Sequence, residues 1–385
     1  MYSPSYYFDH GSTTPLRQEV LDEMMPYFTL NFGNPSSLHQ YGLKAKESLE
    51  IARATVARTI NVNPREIIFT GSGTEANNLA ILGTVRRLQR LKKGKHLITT
   101  GIEHASVLKT FKHLEKEGFE VTYLPVDPYG RVHLDEVKKS IRTDTLMVSI
   151  MHANNVIGTI QPISEIGRYL KEKNILFHTD AVQSYGKIPV NAQELHVDLL
   201  SINSHKIGGP KGVAALYMKK GIRIDPLYFG GEQERAIRPA TQNVPGIVGF
   251  AKAAELAAKE LEDEQKRLLK LRSHFISTLT KNIVGVKING HPTQTLPNLI
   301  NISVDNIEGQ GLMLELDRLG LATSSGSACS STDHEPSYVL LATNPSRQHA
   351  LESLRITMGR TTTKDSVDKL IKGIIQSVNY WRKKN

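Results

Sequence analysis

Residues 66–83 read EIIFTGSGTEANNLAILG: a short β-rich run, a turn of small residues, then an apolar stretch at helical spacing. Six further runs repeat the first part of this strand–turn–helix unit: HLITT (96–100), VTYLP (121–125), LMVSIM (146–151), ILFHT (175–179), LLSIN (199–203) and VAALYM (213–218). Amphipathic helical stretches lie between several of them, as at 74–91, 104–117 and 163–173. The alternation predicts an α/β fold built on a large, mostly parallel seven-stranded sheet with helices on both faces. Strands covered on both sides need no polar face, which accounts for runs that are apolar throughout.

Beyond the sheet, residues 245–281 are rich in Ala, Leu, Glu and Lys and have no proline inside them, which predicts one long connecting helix. From about 284 the pattern is mixed. Strands are expected near 286–289, 299–304 and 353–357, with helices near 309–319 and 364–381, giving a small α/β domain. Two N-terminal helices are expected near 16–28 and 42–60. The expected division assigns 16–259 to the large domain, and 1–15 with 260–385 to the small one.

The 385 residues have the apolar fraction of an ordinary globular protein, 39%. No apolar run approaches the roughly 18–20 residues needed to cross a bilayer. The opening MYSPSYYFDHG lacks a basic region followed by an apolar stretch, so a soluble, cytoplasmic protein without membrane attachment is expected. The single cysteine, Cys329, excludes a disulfide within the chain and agrees with a reducing compartment. The net charge of +10 is spread along the chain, with short clusters only at Arg86-Arg87, Lys92-Lys93 and Arg382-Lys383-Lys384. That distribution reads as solubility, and no direct nucleic-acid contact is expected. No metal ligand set is assigned.

Unusual polar clusters fall just after the expected strands, where open α/β sheets bind ligands. They are Gly71-Ser72-Gly73-Thr74-Glu75, Glu103-His104, His152-Ala153-Asn154-Asn155, Asp180-Ala181-Val182-Gln183 and Ser204-His205-Lys206. The first is a small-residue turn entering a helix, suited either to a phosphate dianion or to an ordinary turn capped by Ser72 or Thr74. It is neither a dinucleotide GxGxxG pattern nor a nucleotide phosphate loop. Lys206, between a buried strand and a Gly/Pro turn, is either a desolvated amine nucleophile or a solvated surface lysine. Asp180 needs a cation or donors at its strand end; a protonated pyridine nitrogen, a helix cap or a salt bridge would each serve. His104 could stack on a flat ring and shuttle protons, or sit beside a helix cap. Cys329, in the small polar run TSSGSACSSTDHE, is expected to be exposed, mobile and reactive rather than a buried core residue.

Taken together, these segments closely resemble the NifS/IscS-type cysteine desulfurases, which are fold type I pyridoxal-phosphate enzymes. The resemblance runs nearly end to end, through FDHGSTTP, FGNPSSLHQYG, GSGTEANNLAI, IEHASV, HANNVIGTIQPI, HTDAVQSYGKIPV, SHKIGGPKGVAALY, GGEQE, TQNVPGIVGFAKA, SSGSACSS, EPSYVL and SLRITMGRTTT. It implies that Lys206 holds the aldehyde of pyridoxal 5'-phosphate and later moves protons on the substrate. Asp180 would pair with the pyridine nitrogen, His104 would stack on the ring, and Gln183 would bond the phenolic oxygen. Gly73, Thr74, Asn203 and His205 would surround the phosphate, with Thr241 supplied by the second subunit of a homodimer. Asn155 and Arg355 would bind the carboxylate of L-cysteine. Cys329 would take the substrate sulfur as a persulfide, leaving alanine, for delivery to an acceptor such as an iron–sulfur scaffold or a tRNA-thiolation enzyme.

The chain departs from the family's usual pattern in places. Asn203 stands where serine is common, Val156 where Glu is frequent, and Gly11-Ser12 where a small-Ala pair is common. The usual Arg-Ser-Gly-Thr element is Arg238-Pro239-Ala240-Thr241, a stiffer turn that bears on how Thr241 reaches a partner's cofactor. Competing readings are a selenocysteine lyase or a small-amino-acid aminotransferase, the latter with no need of Cys329. A cofactor-free basic scaffold or RNA-binding protein is a further alternative, and would be colourless.

Overall fold

The computed structural model describes residues 4–91, 93–325 and 335–383. The N-terminal helix expected at 16–28 is two short ones, α1 (Gln18–Met24) and α2 (Pro26–Thr29). Pro26 opens the second; its ring and missing N–H cannot continue the first. The longer α3 (Gln40–Thr59) starts where His39 Nδ1 accepts from the Gly42 amide at 3.3 Å. Its buried stripe is Ala45, Leu49, Ala52 and Val56, the spacing of one helical face.

Seven strands form the large sheet: β1 (Ile67–Thr70), β2 (His96–Thr100), β3 (Glu120–Leu124), β4 (Thr145–Ser149), β5 (Leu176–Asp180), β6 (Leu199–Asn203) and β7 (Ala214–Met218). Their spatial order is β1-β7-β6-β5-β4-β2-β3. The strands from β6 to β3 run parallel, whereas β7 is antiparallel to both β6 and β1. Two reversals restore the original direction, so β1 ends at the same rim as β2, β4, β5 and β6. Helices α4 (Gly73–Arg90), α5 (Ala105–Lys116), α6 (Leu134–Ser140) and α7 (Ile163–Glu172) connect the parallel strands. Alternate strand residues feed two cores, one holding Ile67, Phe69, Val148 and Ile202 and the other Ile68, Leu97, Met147 and Leu216.

The helix α8 (Val244–Asn282) has 39 residues, which makes it about 58 Å long. Asn243 caps it, accepting from the Gly246 amide at 3.1 Å. Its first turns, including Ile247 and Phe250, lie in the core of the large sheet. Leu268, Phe275 and Leu279 lie instead in a separate core with Ile302, Ile356 and Leu370. That second core covers an antiparallel sheet of order β10-β11-β9-β8, made of β8 (Val286–Asn289), β9 (Leu299–Val304), β10 (Ser324–Ser325) and β11 (Ser353–Thr357). Helices α9 (Gly309–Arg318), α10 (Tyr338–Thr343), α11 (Arg347–Leu351) and α12 (Lys364–Arg382) complete it. The N-terminal strap joins this unit: Phe8 is buried in its core and the Thr357 amide donates to the Phe8 carbonyl at 2.7 Å. Among the described residues, β10, α10 and α11 are elements that the sequence pattern did not indicate.

Candidate active site

The strand ends converge on a cavity of about 220 Å³. Gly73, Thr74, His104, Asn155, Asp180, Gln183, Asn203, His205 and Lys206 all line it, together with Ser12, Ser72, Asn77, Ser106, Met151, Ala153 and Val182. Each polar cluster read from the sequence therefore places at least one side chain at the same site.

The first turn of α4 forms one wall. Ser72 is its N-cap, with extended backbone and a side chain that accepts from the Glu75 amide at 3.1 Å. Gly73 follows because a Cβ there would come within 2.8 Å of Val182 Cγ2. Capping and a positive helix terminus coexist here, so the ordinary-turn reading and the phosphate reading describe the same backbone.

Asp180 closes β5 and is buried. Its Oδ1 accepts from the Val182 amide at 2.9 Å and its Oδ2 from Asn77 Nδ2 at 2.7 Å. Asn77 Nδ2 also reaches Ser106 Oγ at 2.9 Å, linking α4 to α5 behind the site. His104 is the N-cap of α5; its Nδ1 lies 2.8 Å from Ser106 Oγ and 3.2 Å from the Ser106 amide. Burial holds its imidazole below the ordinary value, the Asp180 charge opposes that shift and Lys206 adds to it. His104 is thus both a helix cap and a wall of the cavity.

Lys206 lies in the connection 204–213 between β6 and β7, short because β7 runs opposite to β6. His205 beside it contacts Thr13 Oγ1 through Nδ1 at 3.1 Å, and its imidazole is lowered to about 4 by burial and by the charges of Lys206 and Lys211. Gln183 Nε2 donates to the Gly11 carbonyl at 2.9 Å, fixing the N-terminal strap to the rim.

Three lining amides carry buried oxygens, Asn77 Oδ1, Asn155 Oδ1 and Asn203 Oδ1, without a partner among the described residues. Arg355, on β11, is buried and does not itself line the cavity, but it bonds to Ser12 and Asn155, which do. It donates through Nη2 to Asp9 Oδ1 and Ser12 Oγ, both at 2.8 Å, and through Nη1 to the Asn155 carbonyl at 3.1 Å. Its Nε has no partner among the described residues. Thr241 is exposed and does not line the cavity of its own chain. Cys329 lies outside the described residues.

Asn77, Ser106 and Glu103 were not singled out from the sequence as site residues. Asn77 carried a signal, a polar residue on the otherwise apolar face of α4 that also holds Ala76 and Ala80. Glu103 lay in one of the polar clusters named above, but nothing local says that its carboxyl turns inward and is fully buried.

The aminotransferase class-V family model matches residues 6–370. The chain is 49% identical over 376 residues to the cysteine desulfurase IscS of Methanosarcina thermophila, covering 98% of this chain and 92% of that one. It is 51% identical over 362 residues to the cysteine desulfurase IscS of Dictyoglomus turgidum (strain DSM 6724 / Z-1310), covering 94% and 91%. Among solved structures, one titled NifS-like protein superimposes with a TM-score of 0.92 at 40% identity, over 99% of this chain and 100% of the other.

Proposed function

We infer the division of labour in this site from one premise: the chain belongs to the aminotransferase class-V family and is a cysteine desulfurase, an enzyme that uses pyridoxal phosphate. The residues present suit that cofactor. The first turn of α4 offers amides to a phosphate, Asn203 can turn its amide to donate, and Asp180 offers a carboxylate to a protonated ring nitrogen. When bound, pyridoxal phosphate supplies the electron sink that makes bonds at the substrate Cα labile.

Lys206 supplies the amine that holds the cofactor and carries a proton to and from the substrate Cα. His104, its imidazole lowered by burial, would pack against the cofactor and take part in proton movement. Gln183 would donate to the cofactor, and His205 with Gly73, Thr74 and Asn203 would hold its phosphate. Asn155 and Arg355 receive the carboxylate of L-cysteine, the planar fork of Arg355 matching its two oxygens. The Cys329 thiolate then attacks the substrate sulfur. A sulfur–sulfur bond forms, the substrate carbon–sulfur bond breaks, and alanine leaves with a persulfide on Cys329.

Several exposed apolar side chains, Phe28, Leu30, Phe32, Leu38, Tyr41 and Leu43, sit together in sequence at 28–43. They support a homodimer, since such a face is costly to leave in water. Thr241, exposed in its own chain, is free in that assembly to reach the partner's phosphate. The domain boundaries near 15 and 260 follow the two cores that meet along α8. A persulfide-bearing thiol suits the cytoplasm, and no described helix is long and apolar enough to cross a membrane. The acceptor we propose is an acidic iron–sulfur scaffold protein, matched to the net charge of +10.

The observation that carries this reading is the meeting of Lys206, Asp180, His104 and the first turn of α4 in one cavity. Its test is alanine and sulfide release from L-cysteine by the cofactor-loaded protein with a reductant. Cys329→Ala is expected to keep the visible absorbance and lose sulfide release; undiminished release would remove the thiol from the reaction.

A further inference from the structure

A second cavity, of about 70 Å³, backs onto the first and shares its framework. Three segments divide their residues between the two. Ser12 lines the first while His10 and Thr14 line the second; Gln183 lines the first while Gly186 and Lys187 line the second; Lys206 lines the first while Ile207 and Gly208 line the second. The remaining wall comes from α8 and from Gly359, Arg360 and Thr361. The space suits several waters or one small anion.

Its donors are left over. His10 is 3% exposed, and neither ring nitrogen makes a hydrogen bond of normal geometry among the described residues, although the Tyr7 carbonyl is near. Arg17 is 7% exposed and its Nε is likewise buried without a partner. Lys187 has no ion pair among the described residues. The two carboxylates in the wall are already engaged: Glu260 accepts from Arg17 Nη1 and Nη2, both at 2.7 Å, and Glu264 from Arg267 Nε and Nη2, both at 2.8 Å. With their ion-pair partners counted, Arg17, Lys187, Arg360 and Arg267 face Glu19, Glu260 and Glu264, one positive charge in excess.

We propose that this cavity is a binding site for a small tetrahedral oxyanion of the sulfate or phosphate class, held by Lys187, Arg17 Nε and His10. Water would satisfy the orphan Arg17 Nε, but an anion would also offset the charge that Lys187 brings into a partly buried site. Burial first, and then the positive charge of Lys187, push the His10 imidazole down to about 3, so it is neutral and has a single N–H to donate. Burial also lowers the Lys187 amine, against the opposing charge of Glu264, and a bound anion would favour its ammonium form. The anion would sit one turn from the cofactor lysine, because Thr14 Oγ1 donates to the His205 carbonyl at 2.7 Å and accepts from the Gly208 amide at 2.9 Å.

The test uses cofactor-loaded protein prepared without sulfate or phosphate. Crystals soaked in sodium selenate are expected to show an anomalous peak among His10, Arg17 and Lys187. Calorimetric titration with sodium sulfate, at fixed ionic strength and with saturating L-alanine to block the Arg355 side, is expected to saturate. Sodium phosphate should compete for the same sites if the recognition is of the tetrahedral oxyanion. Lys187→Met should weaken sulfate binding roughly tenfold to a hundredfold, the loss of one charge-assisted hydrogen bond, while leaving the visible spectrum unchanged. If that variant does not fold, the selenate peak in the unaltered protein decides. No peak in this cavity, or sulfate binding that L-alanine abolishes or Lys187→Met leaves intact, overturns the proposal.

Discussion

Asn77, on the first turns of α4, donates through Nδ2 to Oδ2 of Asp180 at 2.7 Å, and both side chains are buried. The bond fixes the orientation of the carboxylate that we propose faces the ring nitrogen of the cofactor. Removing it costs the carboxylate a charge-assisted partner, worth about 1.5–3 kcal/mol. Asn77→Ala is therefore expected to lower kcat roughly tenfold to a hundredfold and to shift the pH dependence of the bound cofactor's visible spectrum. Absorbance titrations beside steady-state kinetics check both. An unchanged spectrum with unchanged kcat would make Asn77 a packing residue.

Arg355 is held by Asp9, Ser12 and the Asn155 carbonyl, and its buried Nε has no partner among the described residues. Arg355→Lys keeps the charge but loses the planar fork. The expected outcome is a rise in KM for L-cysteine of roughly tenfold to a hundredfold, with a smaller change in kcat. Asp9→Asn removes the ion pair that aims the guanidinium, so a milder rise in KM is expected from a residue that need not touch substrate. Equal losses in kcat and no effect on KM would place Arg355 outside substrate binding.

The large sheet and its rim were legible because buried strands and small-residue turns are local signals. EIIFT, HLITT and LLSIN announce strands, and the clusters after them mark the rim whatever the packing. The reversal of β7 was not legible, since strand direction depends on the length and path of the 204–213 connection. Pro26 did carry the information that splits α1 from α2, but apolar periodicity across 16–28 masks it. The inward turn of Glu103 and the pairing of Arg53 with Glu234 join residues far apart in sequence, which no periodicity encodes.

Glu103 is fully buried beside the site. Its Oε1 accepts from the Met151 amide at 3.0 Å and Thr100 Oγ1 at 2.8 Å, and its Oε2 has no partner among the described residues. Burial raises its pKa to about 8, against those two hydrogen bonds and with a small addition from Asp180. A folded-state pKa above the unfolded one gives a contribution that is whole below the unfolded value, near 4.5, and lost as pH rises through about 8. Glu103→Gln is neutral throughout, so its stability relative to the parent should grow from pH 5 to pH 8.5. The gain is a few kcal/mol at most, at about 1.4 kcal/mol for each tenfold change in the protonation equilibrium. Denaturant unfolding at the two pH values measures the gap. A gap that does not widen would mean that the carboxyl ionises normally.

Arg53 and Glu234 form a bidentate pair at 2.7 and 2.8 Å, and the Glu234 side chain is 1% exposed. Glu234 also accepts from the Phe69 amide at 2.9 Å and Gln242 Nε2 at 3.1 Å. Burial pushes its carboxyl up, but the Arg53 pairing outweighs that and leaves it below the ordinary range. This contribution is therefore present above the unfolded pKa and lost as pH falls. Glu234, Arg235 and Ala236 all have φ between 45° and 60°, a left-handed run that non-glycine residues adopt at a cost. The pair is what pins that run to α3 and β1. Glu234→Ala leaves the buried Arg53 guanidinium with only the exposed Glu50 carboxylate, at 3.2 Å, as an ionic partner and should destabilise the protein by up to about 3–5 kcal/mol, read by denaturant unfolding. In the proposed homodimer, where Thr241 lies a few residues downstream, the same variant should also weaken subunit association, measured by sedimentation. Replacing both partners, Arg53→Met with Glu234→Leu, should recover much of the stability while leaving the 234–241 segment loose. Recovery of dimerisation together with stability would show that the pair has no part in presenting Thr241.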